Sequence, residues 1–260
     1  MCGIFGVSGS TPAVPLIAAG LKKLEYRGYD SSGIAVNGEK GIWLCKSAGS
    51  LSHLEKKLNQ SAPPLSSVGI GHTRWATHGK ATDLNAHPFL SADGMFAVAH
   101  NGIIENYTGL KAFLSEKGFS FVSDTDSEVV PMLLEYFYDG DVLKAIRRAV
   151  SELEGAFSLA IITSHAPDCV FAARKDSSLA IGFGKGCSFV SSDIPAISGF
   201  AEQCCIPDEN SVAVLRKGEI KLFDRQGNRT APSFKPTGEC GGDVLLFYDE
   251  SEADAQRGCL

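Results

Sequence analysis

The chain begins with MCGIFGVS, residues 1–8, in which Cys2 directly follows the initiator methionine. The apolar run from Cys2 to Ser8 predicts a β-strand. We expect Met1 to be removed because the next side chain is small. Cys2 would then carry a thiol and a free α-amine with a pKa of roughly 7.7–8.0, partly unprotonated at neutral pH. Such an amine can act as the base for a nucleophile on its own residue. The alternative is a small apolar cysteine that only starts a strand.

The composition is that of a globular protein without a strongly charged partner. Of the 260 residues, 44% are hydrophobic, enough for one large domain or two small ones. The net charge of −6 argues against nucleic acid or an anionic membrane as a partner. There is neither a signal-peptide pattern nor a membrane-length apolar run, so we expect a soluble cytoplasmic protein. The eight cysteines lack a C-x-x-C pair and predict buried thiols rather than a disulfide framework.

Hydrophobic periodicity predicts many strands and a few amphipathic helices. Helices are predicted over residues 12–24, 51–58, 106–117, 129–137 and 142–153, with Thr11 as a cap of the first and Thr125–Glu128 as a capping box for the fourth. Strands are predicted over residues 2–8, 34–36, 42–45, 68–72, 96–101, 157–163, 169–173, 179–183, 188–191, 212–215 and 220–223. This pattern favours sheets that pack together and are covered by helices.

Residues 72–88 have no sustained period and contain three histidines, three threonines, Arg74 and Trp75. A long irregular segment inside a compact domain is usually functional, or is a stretch whose secondary structure has been assigned wrongly. His72, His78 and His87, with His100 further along, raise the possibility of a metal site. Their spacing matches no compact ligand motif, so we expect neither a metal nor a cofactor.

A thiolate that attacks an amide needs an oxyanion stabiliser and groups that hold the charged ends of the substrate. Asn101 offers a side-chain N–H and Gly102 a backbone N–H, although Asn-Gly is also a common turn dipeptide. Arg74 can hold a carboxylate, or be an ordinary surface arginine. Asp126 can bind an ammonium group, or be an acid in the first turn of a helix, where the helix dipole favours it.

Six blocks of sequence together resemble the class II glutamine amidotransferases, which are N-terminal-nucleophile hydrolases. The blocks are Cys2–Gly6, Glu25–Ser31, Gly71–Gly79, Asn85–Pro88, His100–Asn106 and Thr125–Glu128. The resemblance covers residues 2–224, and the second and third blocks resemble the branch that aminates fructose 6-phosphate in hexosamine synthesis. It implies an α+β fold, a four-layer α-β-β-α sandwich, and hydrolysis of the glutamine side-chain amide to glutamate and ammonia.

The resemblance also implies a role for each matching residue. Cys2 is the nucleophile, its α-amine is the base, and Asn101 and Gly102 form the oxyanion hole. Glutamine is held by Arg74 at its carboxylate, with Thr77 and His78 lining the pocket, and by Gly102 and Asp126 at its ammonium group. Trp75 gates the passage of ammonia, and His87 lies in a loop near the site.

The family continues into two sugar-isomerising domains, which we expect this sequence to lack. The sequence after Phe234 diverges from the family, so we expect a glutaminase domain over residues 2–234 and a loosely ordered tail over residues 235–260. A sugar-isomerising chain or domain is then a possible partner. Two alternatives remain open: a non-catalytic remnant or glutamine-sensing module, and an N-terminal-nucleophile hydrolase acting on another amide.

Overall fold

The computed structural model describes residues 2–10, 12–75 and 79–240. Within these ranges the chain forms fifteen strands, most of them short and buried on both faces. In chain order they are β1 (Gly3–Ser8), β2 (Ser31–Gly38), β3 (Gly41–Ala48), β4 (Val68–Arg74), β5 (Phe89–Leu90), β6 (Phe96–Gly102), β7 (Phe157–Thr163), β8 (Val170–Lys175), β9 (Ala180–Gly184), β10 (Cys187–Ser191), β11 (Gln203–Cys205), β12 (Val212–Arg216), β13 (Glu219–Phe223), β14 (Arg229–Thr230) and β15 (Lys235–Pro236).

Six α-helices accompany these strands in the described part of the chain. They are α1 (Ala13–Leu24), α2 (Leu51–Gln60), α3 (Tyr107–Glu116), α4 (Val129–Phe137), α5 (Val142–Glu152) and α6 (Ile194–Ile197), and a 3-10 turn follows α1 at Glu25–Arg27. The helix α5 begins at a side-chain cap, where the Asp141 carboxylate accepts the Lys144 N–H at 3.0 Å. Among the described helices, none has the length and apolarity to cross a bilayer.

The strands form two antiparallel sheets in the described residues. The first has the order β15-β11-β9-β10-β1-β4-β2-β3 and the second the order β14-β13-β12-β8-β7-β6-β5. Ile4 and Ile70 of the first sheet pack against Ala97 and Ala160 of the second. The outer face of each sheet is covered by helices, α1 and α2 on one side and α3, α4 and α5 on the other. These layers confirm the predicted α-β-β-α sandwich.

The sheet order brings the start of β1 beside the end of β4. The two strands are antiparallel, and Gly3 pairs with Thr73. Gly3 must be small, because a side chain there would overlap the Thr73 hydroxyl and Leu24 of α1. The N-terminal cysteine is therefore fixed next to the segment that follows β4, which is the irregular stretch singled out in the sequence.

Three local predictions need correction. β4 runs to Arg74, three residues into the stretch predicted to be irregular over residues 72–88. The capping box at Thr125–Glu128 does not form, because the Glu128 carboxylate instead accepts the N–H groups of Val122 and Ser123 at 3.0 and 2.8 Å. The strand predicted over residues 34–36 is longer, since β2 continues to Gly38. Thr11, the predicted cap of α1, lies outside the described residues.

The start of the predicted tail packs against the first sheet. β15 pairs with β11, and the Thr237 hydroxyl donates to the carbonyl of Ala201 at 2.8 Å. Cys240 is buried and contacts the carbonyl of Cys204 at 3.2 Å. Residues 235–240 are thus ordered against β11, and the rest of the predicted tail lies outside the described residues.

Candidate active site

Cys2 lies against the backbone of Trp75, the residue that follows β4. The Trp75 N–H donates to Cys2 Sγ at 3.3 Å, and the thiol lies 3.6 Å from the Trp75 carbonyl oxygen. The Trp75 ring meets Tyr29 edge to face, with ring centroids 5.1 Å apart. The partly buried thiol therefore contacts the backbone N–H and C=O of Trp75, and the aromatic rings of Trp75 and Tyr29 pack against each other nearby.

The carbonyl oxygen of Cys2 is held from two directions. Asn101 Nδ2 donates to it at 3.1 Å and Arg27 Nε at 3.2 Å. The other end of the Arg27 guanidinium pairs with Asp193 at 3.3 Å, and both side chains are buried. The Tyr26 hydroxyl donates to the same carboxylate. The backbone of the candidate nucleophile is thus fixed by residues 25 and 99 positions away in the sequence.

Asn101 and Gly102 are the last two residues of β6, so they extend a strand rather than forming a turn. The Ile103 N–H donates to the Ala156 carbonyl at 2.9 Å in register with the pairing of Gly102 and Phe157. Neighbouring residues of a strand point their backbone groups to opposite sides, so the Gly102 N–H points away from β7. On that side β5 pairs only as far as Val98. The Gly102 N–H therefore lies beyond the end of β5, near the Asn101 amide.

Gly102 also has a backbone conformation that favours glycine, with φ of 114°. A Cβ at this position would overlap the carbonyl of Ala156. Only glycine leaves this backbone N–H accessible while keeping β6 paired with β7.

Three buried histidines adjoin the site: His72 on β4, His87 in the loop before β5, and His100 on β6. His72 and His87 are stacked with ring centroids 4.2 Å apart, and His87 Nδ1 accepts the backbone N–H of His100 at 3.2 Å. The His100 ring contacts the Ser127 hydroxyl at 2.7 Å. Burial lowers the pKa of His72 to about 3 and the pKa of His87 well below its ordinary value. These rings are therefore neutral near pH 7.

Arg74 and Asp126 are both buried and already engaged by backbone groups. The Arg74 guanidinium donates to the carbonyls of Gly79 and Lys80 at 3.2 and 3.3 Å. The Asp126 carboxylate accepts the Ile104 N–H at 2.7 Å, and Asp126 lies three residues before the start of α4. Arg74 thus supports the loop after β4, and Asp126 is tied to the backbone just after Gly102.

The structure brings most of the predicted site residues together. Cys2, Trp75 and Asn101 are in direct contact, and Gly102 and Asp126 adjoin them through β6 and the Ile104 amide. His87 reaches this group through His72, on which it stacks. Thr77 and His78 lie outside the described residues. The roles assigned to these residues remain predictions.

Two residues that contact the site had no role assigned from the sequence. Arg27 and His72 lie within blocks that resemble the amidotransferases, yet residue type alone did not distinguish them from structural residues. Their contacts with Cys2 and Asn101 join parts of the structure that are distant in sequence. The hydrophobic periodicity of a helix or strand does not report contacts between residues that are distant in sequence.

Burial is the main influence on the Cys2 thiol, and it raises the pKa. The Trp75 N–H and the charges of Arg74 and Arg27 act in the opposite direction but do not cancel it. The neutral thiol is therefore the dominant form near pH 7, and a nucleophilic role requires a base close to Sγ.

The sequence matches the family model of a glutamine amidotransferase domain over residues 72–199. It is 45% identical to the glutamine–fructose-6-phosphate aminotransferase (isomerizing) of Clostridium tetani over 227 residues, which are 87% of this chain and 37% of that enzyme. It is 44% identical to the enzyme of the same name from Streptomyces coelicolor over 261 residues, which are 100% of this chain and 40% of that enzyme. The chain therefore spans well under half the length of these relatives.

Solved structures share the fold. The glutamine phosphoribosylpyrophosphate amidotransferase of B. subtilis superposes with a TM-score of 0.75 and 24% identity over 88% of this chain and 50% of that one. A glutamine aminotransferase class-II domain protein from Silicibacter pomeroyi gives a TM-score of 0.57 and 15% identity over 85% of this chain and 98% of that one. At this level of identity the likeness concerns the arrangement of sheets and helices alone.

Proposed function

Because this chain belongs to the class II glutamine amidotransferases, we propose that it hydrolyses the side-chain amide of glutamine through a thioester on Cys2. The observation that carries the proposal is the contact of Asn101 Nδ2 with the Cys2 carbonyl at 3.1 Å, beside a thiol that accepts the Trp75 N–H at 3.3 Å. A nucleophile and an amide donor thus meet at one point, although 99 residues separate them.

The first half of the proposed reaction forms the thioester. With Met1 removed, the α-amine of Cys2 takes the thiol proton as Sγ bonds to the amide carbon of glutamine. The carbonyl oxygen becomes an oxyanion, which the Asn101 side chain and the Gly102 N–H stabilise. The α-ammonium then returns its proton to the leaving nitrogen, the C–N bond breaks, and ammonia departs.

The second half releases glutamate. Water attacks the thioester carbon while the α-amine takes one of its protons, and the same two donors stabilise the second oxyanion. The C–S bond breaks, Sγ regains a proton, and the free acid leaves. Each proton removed by the amine is returned within the same half-reaction, so the enzyme ends in its starting state.

Substrate recognition is proposed to use the two buried charges. Arg74 pairs with the α-carboxylate of glutamine, with Thr77 and His78 beside it, while Asp126 and Gly102 hold the α-ammonium. Trp75 controls the departure of ammonia, and His87 supports the site by stacking on His72. The opposite charges of Arg74 and Asp126 match the two charged groups of an α-amino acid, which favours glutamine over amides that lack them.

The names of the relatives support a proposal for the fate of the ammonia. Their names describe transfer of the glutamine nitrogen to fructose 6-phosphate with isomerisation, and this chain matches 37–40% of their length. We propose that this chain is the glutaminase part of such an amino-sugar-forming system, with a sugar-isomerising domain or chain as the acceptor of ammonia.

The test is the release of glutamate and ammonia from glutamine by the purified chain. We expect turnover by the unsubstituted protein, none by Cys2→Ala, and unchanged turnover by Cys45→Ala, which removes another partly buried thiol. Glutamine binding without turnover would instead indicate a glutamine-sensing module. Equal turnover of amides that lack the α-amino-acid groups would contradict the proposed substrate.

A further inference from the structure

His72 contacts the Asn101 amide from the side opposite Cys2. It lies on β4 and is fully buried. Its Nε2 atom is 3.0 Å from the His100 carbonyl oxygen and 2.9 Å from Asn101 Oδ1. Asn101 is therefore held at both ends of its amide, by His72 at the oxygen and by the Cys2 carbonyl at the nitrogen.

The chemistry of these partners fixes the tautomer of His72. A backbone carbonyl can only accept a hydrogen bond, so Nε2 must carry a hydrogen, and this single N–H is shared between the His100 carbonyl oxygen and Asn101 Oδ1. Nδ1 is then a bare acceptor in the neutral ring, and within the described residues it has no hydrogen-bond partner. Protonation at Nδ1 would place a buried charge with no partner, which keeps the ring neutral.

The tautomer in turn fixes the orientation of the Asn101 amide. An N–H on His72 Nε2 requires an acceptor facing it, which is Oδ1 rather than the NH₂ group. The Cys2 carbonyl imposes the same choice from the other side, since it requires a donor. The amide nitrogen has two N–H bonds, so one can hold Cys2 while the second remains for a substrate oxygen.

The edge of β6 supports this arrangement. The N–H and C=O of His100 both point away from β7, on the side where β5 ends at its pairing with Val98. His87 Nδ1 accepts the N–H, and His72 Nε2 donates to the C=O. The two stacked rings thus supply hydrogen-bond partners for the backbone N–H and C=O of His100, where no strand pairs with this edge of β6. Gly102 follows two residues further along the same edge.

We propose that His72 is a positioning residue for the oxyanion hole: its Nε2–H group holds the Asn101 amide with the nitrogen toward Cys2 and the reacting carbonyl. The inference deepens the proposed function and rests on it. Without the imidazole donor, the amide can rotate by half a turn and present Oδ1 to the developing negative charge. The interaction would then be repulsive where it should be stabilising.

Two substitutions of similar size distinguish the hydrogen-bond donor of His72 from the volume that its side chain fills. His72→Gln keeps an N–H donor near the position of Nε2, whereas His72→Met has none. We expect His72→Gln to retain kcat within about threefold, because one neutral donor replaces another. For His72→Met we expect kcat to fall about 10- to 100-fold with KM little changed, less than the roughly 10²–10³-fold for loss of an oxyanion donor. Alkylation of Cys2 by iodoacetamide should be unaffected in both.

A double substitution tests whether His72 acts through Asn101. In the Asn101→Ala background, His72→Met should lower kcat no further, because the group that it orients is gone. The same loss in both backgrounds would overturn the proposal, as would equal kcat for the Gln and Met variants. If Asn101→Ala itself leaves kcat unchanged, the proposed oxyanion hole fails instead, so the two failures are distinguishable.

The tautomer gives a test that needs no variant. In the unsubstituted protein, ¹⁵N NMR of the histidine side chains should report His72 protonated at Nε2 and bare at Nδ1 near pH 7. Assignment follows from loss of that signal in His72→Gln. A ring protonated at Nδ1 would overturn the proposal even if His72→Met does not fold.

Discussion

At the scale of single residues, the Cys2 carbonyl oxygen is the point where the site is assembled. Asn101 and Arg27 both donate to it, and each is attached to a different part of the structure, β6 and the 3-10 turn after α1. The nucleophile is therefore placed by side chains as well as by the pairing of β1 with β4. Substitutions of these two residues are expected to have different effects, one on catalysis and one on stability.

Asn101→Ala removes the proposed side-chain donor to the oxyanion. We expect kcat for glutamine hydrolysis to fall by roughly 10²–10³-fold with a smaller change in KM, because the interaction strengthens in the transition state. Steady-state kinetics of glutamate release measures this. Asn228→Ala, in an exposed turn, is the matched control and should be silent. Unchanged kcat in Asn101→Ala would refute the assignment.

Arg27→Met breaks a buried ion pair with Asp193 and leaves that carboxylate without its guanidinium. We expect the free energy of unfolding to fall by about 3–5 kcal/mol, the usual cost of stranding a buried charge. Urea unfolding measures the loss. Adding Asp193→Asn should restore part of it, and a further loss on that addition would show that the pair is not the origin of the effect.

At the scale of elements, the loop from residue 79 to residue 88 is fixed near its middle by Asp83. The carboxylate accepts the Ala48 N–H of β3 at 2.6 Å and the Lys57 ammonium of α2 at 2.5 Å. The near end is held by Arg74, which donates to the carbonyls of Gly79 and Lys80. This loop therefore connects the proposed carboxylate-binding arginine to the surface of the first sheet.

Asp83→Ala should loosen the loop and weaken glutamine binding more than turnover. We expect KM to rise about two- to fivefold, because an exposed ion pair contributes about 0.2–1 kcal/mol. The kinetics of Asp139→Ala provide the comparison, since that residue forms a similarly exposed pair with Lys144 of α5. Equal KM values for the two variants would show that the Asp83 anchor does not reach the site.

At the scale of the whole molecule, the three buried histidines couple stability to pH. His72, His87 and His100 all have a pKa lowered by burial, so they are neutral in the folded state and take up protons on unfolding. The unfolded state binds more protons below its histidine pKa near 6.5, and stability therefore falls as the pH decreases through that value. The loss continues until the folded-state pKa is reached, about 3 for His72.

Between pH 7 and pH 5.5, His72 should remove about 1.2 kcal/mol from the free energy of unfolding, and His87 and His100 should lower it further in the same direction. Urea titrations at the two pH values measure this. His72→Gln should reduce the loss by about 1.2 kcal/mol, because the proton that His72 takes up on unfolding is no longer bound. A pH-independent free energy of unfolding in this range would contradict the description of the rings as buried and neutral.

Much of this architecture could be predicted from the sequence, because burial leaves a local pattern. The apolar run after Cys2 and the alternation around Phe96 gave strands in the correct places, and the amphipathic spacing gave α1 and α5. The exceptions have tertiary causes. β4 extends to Arg74 because pairing with β1 and β2 overrides a polar sequence.

The sequence predicted which residues form the candidate site, but not the contacts among them. Cys2, Asn101 and Asp126 were identified from residue type and from the family resemblance. His72 was not assigned a role, because its partner Asn101 lies on a strand of the other sheet and no sequence period links them. Arg27 was missed because its partner Cys2 is 25 residues away and no sequence period links the two. Contacts across a sandwich depend on the order of strands, which local propensity does not encode.

The central claim is that Cys2 is an N-terminal nucleophile for glutamine. Its most direct test is the intact mass and peptide map of the chain after incubation with a glutamine analogue that carries an electrophile in place of the amide. We expect one adduct, located on Cys2, on a chain that has lost Met1, with excess glutamine protecting it. An adduct on another of the eight cysteines, or an adduct on Cys2 with Met1 retained, would contradict the account.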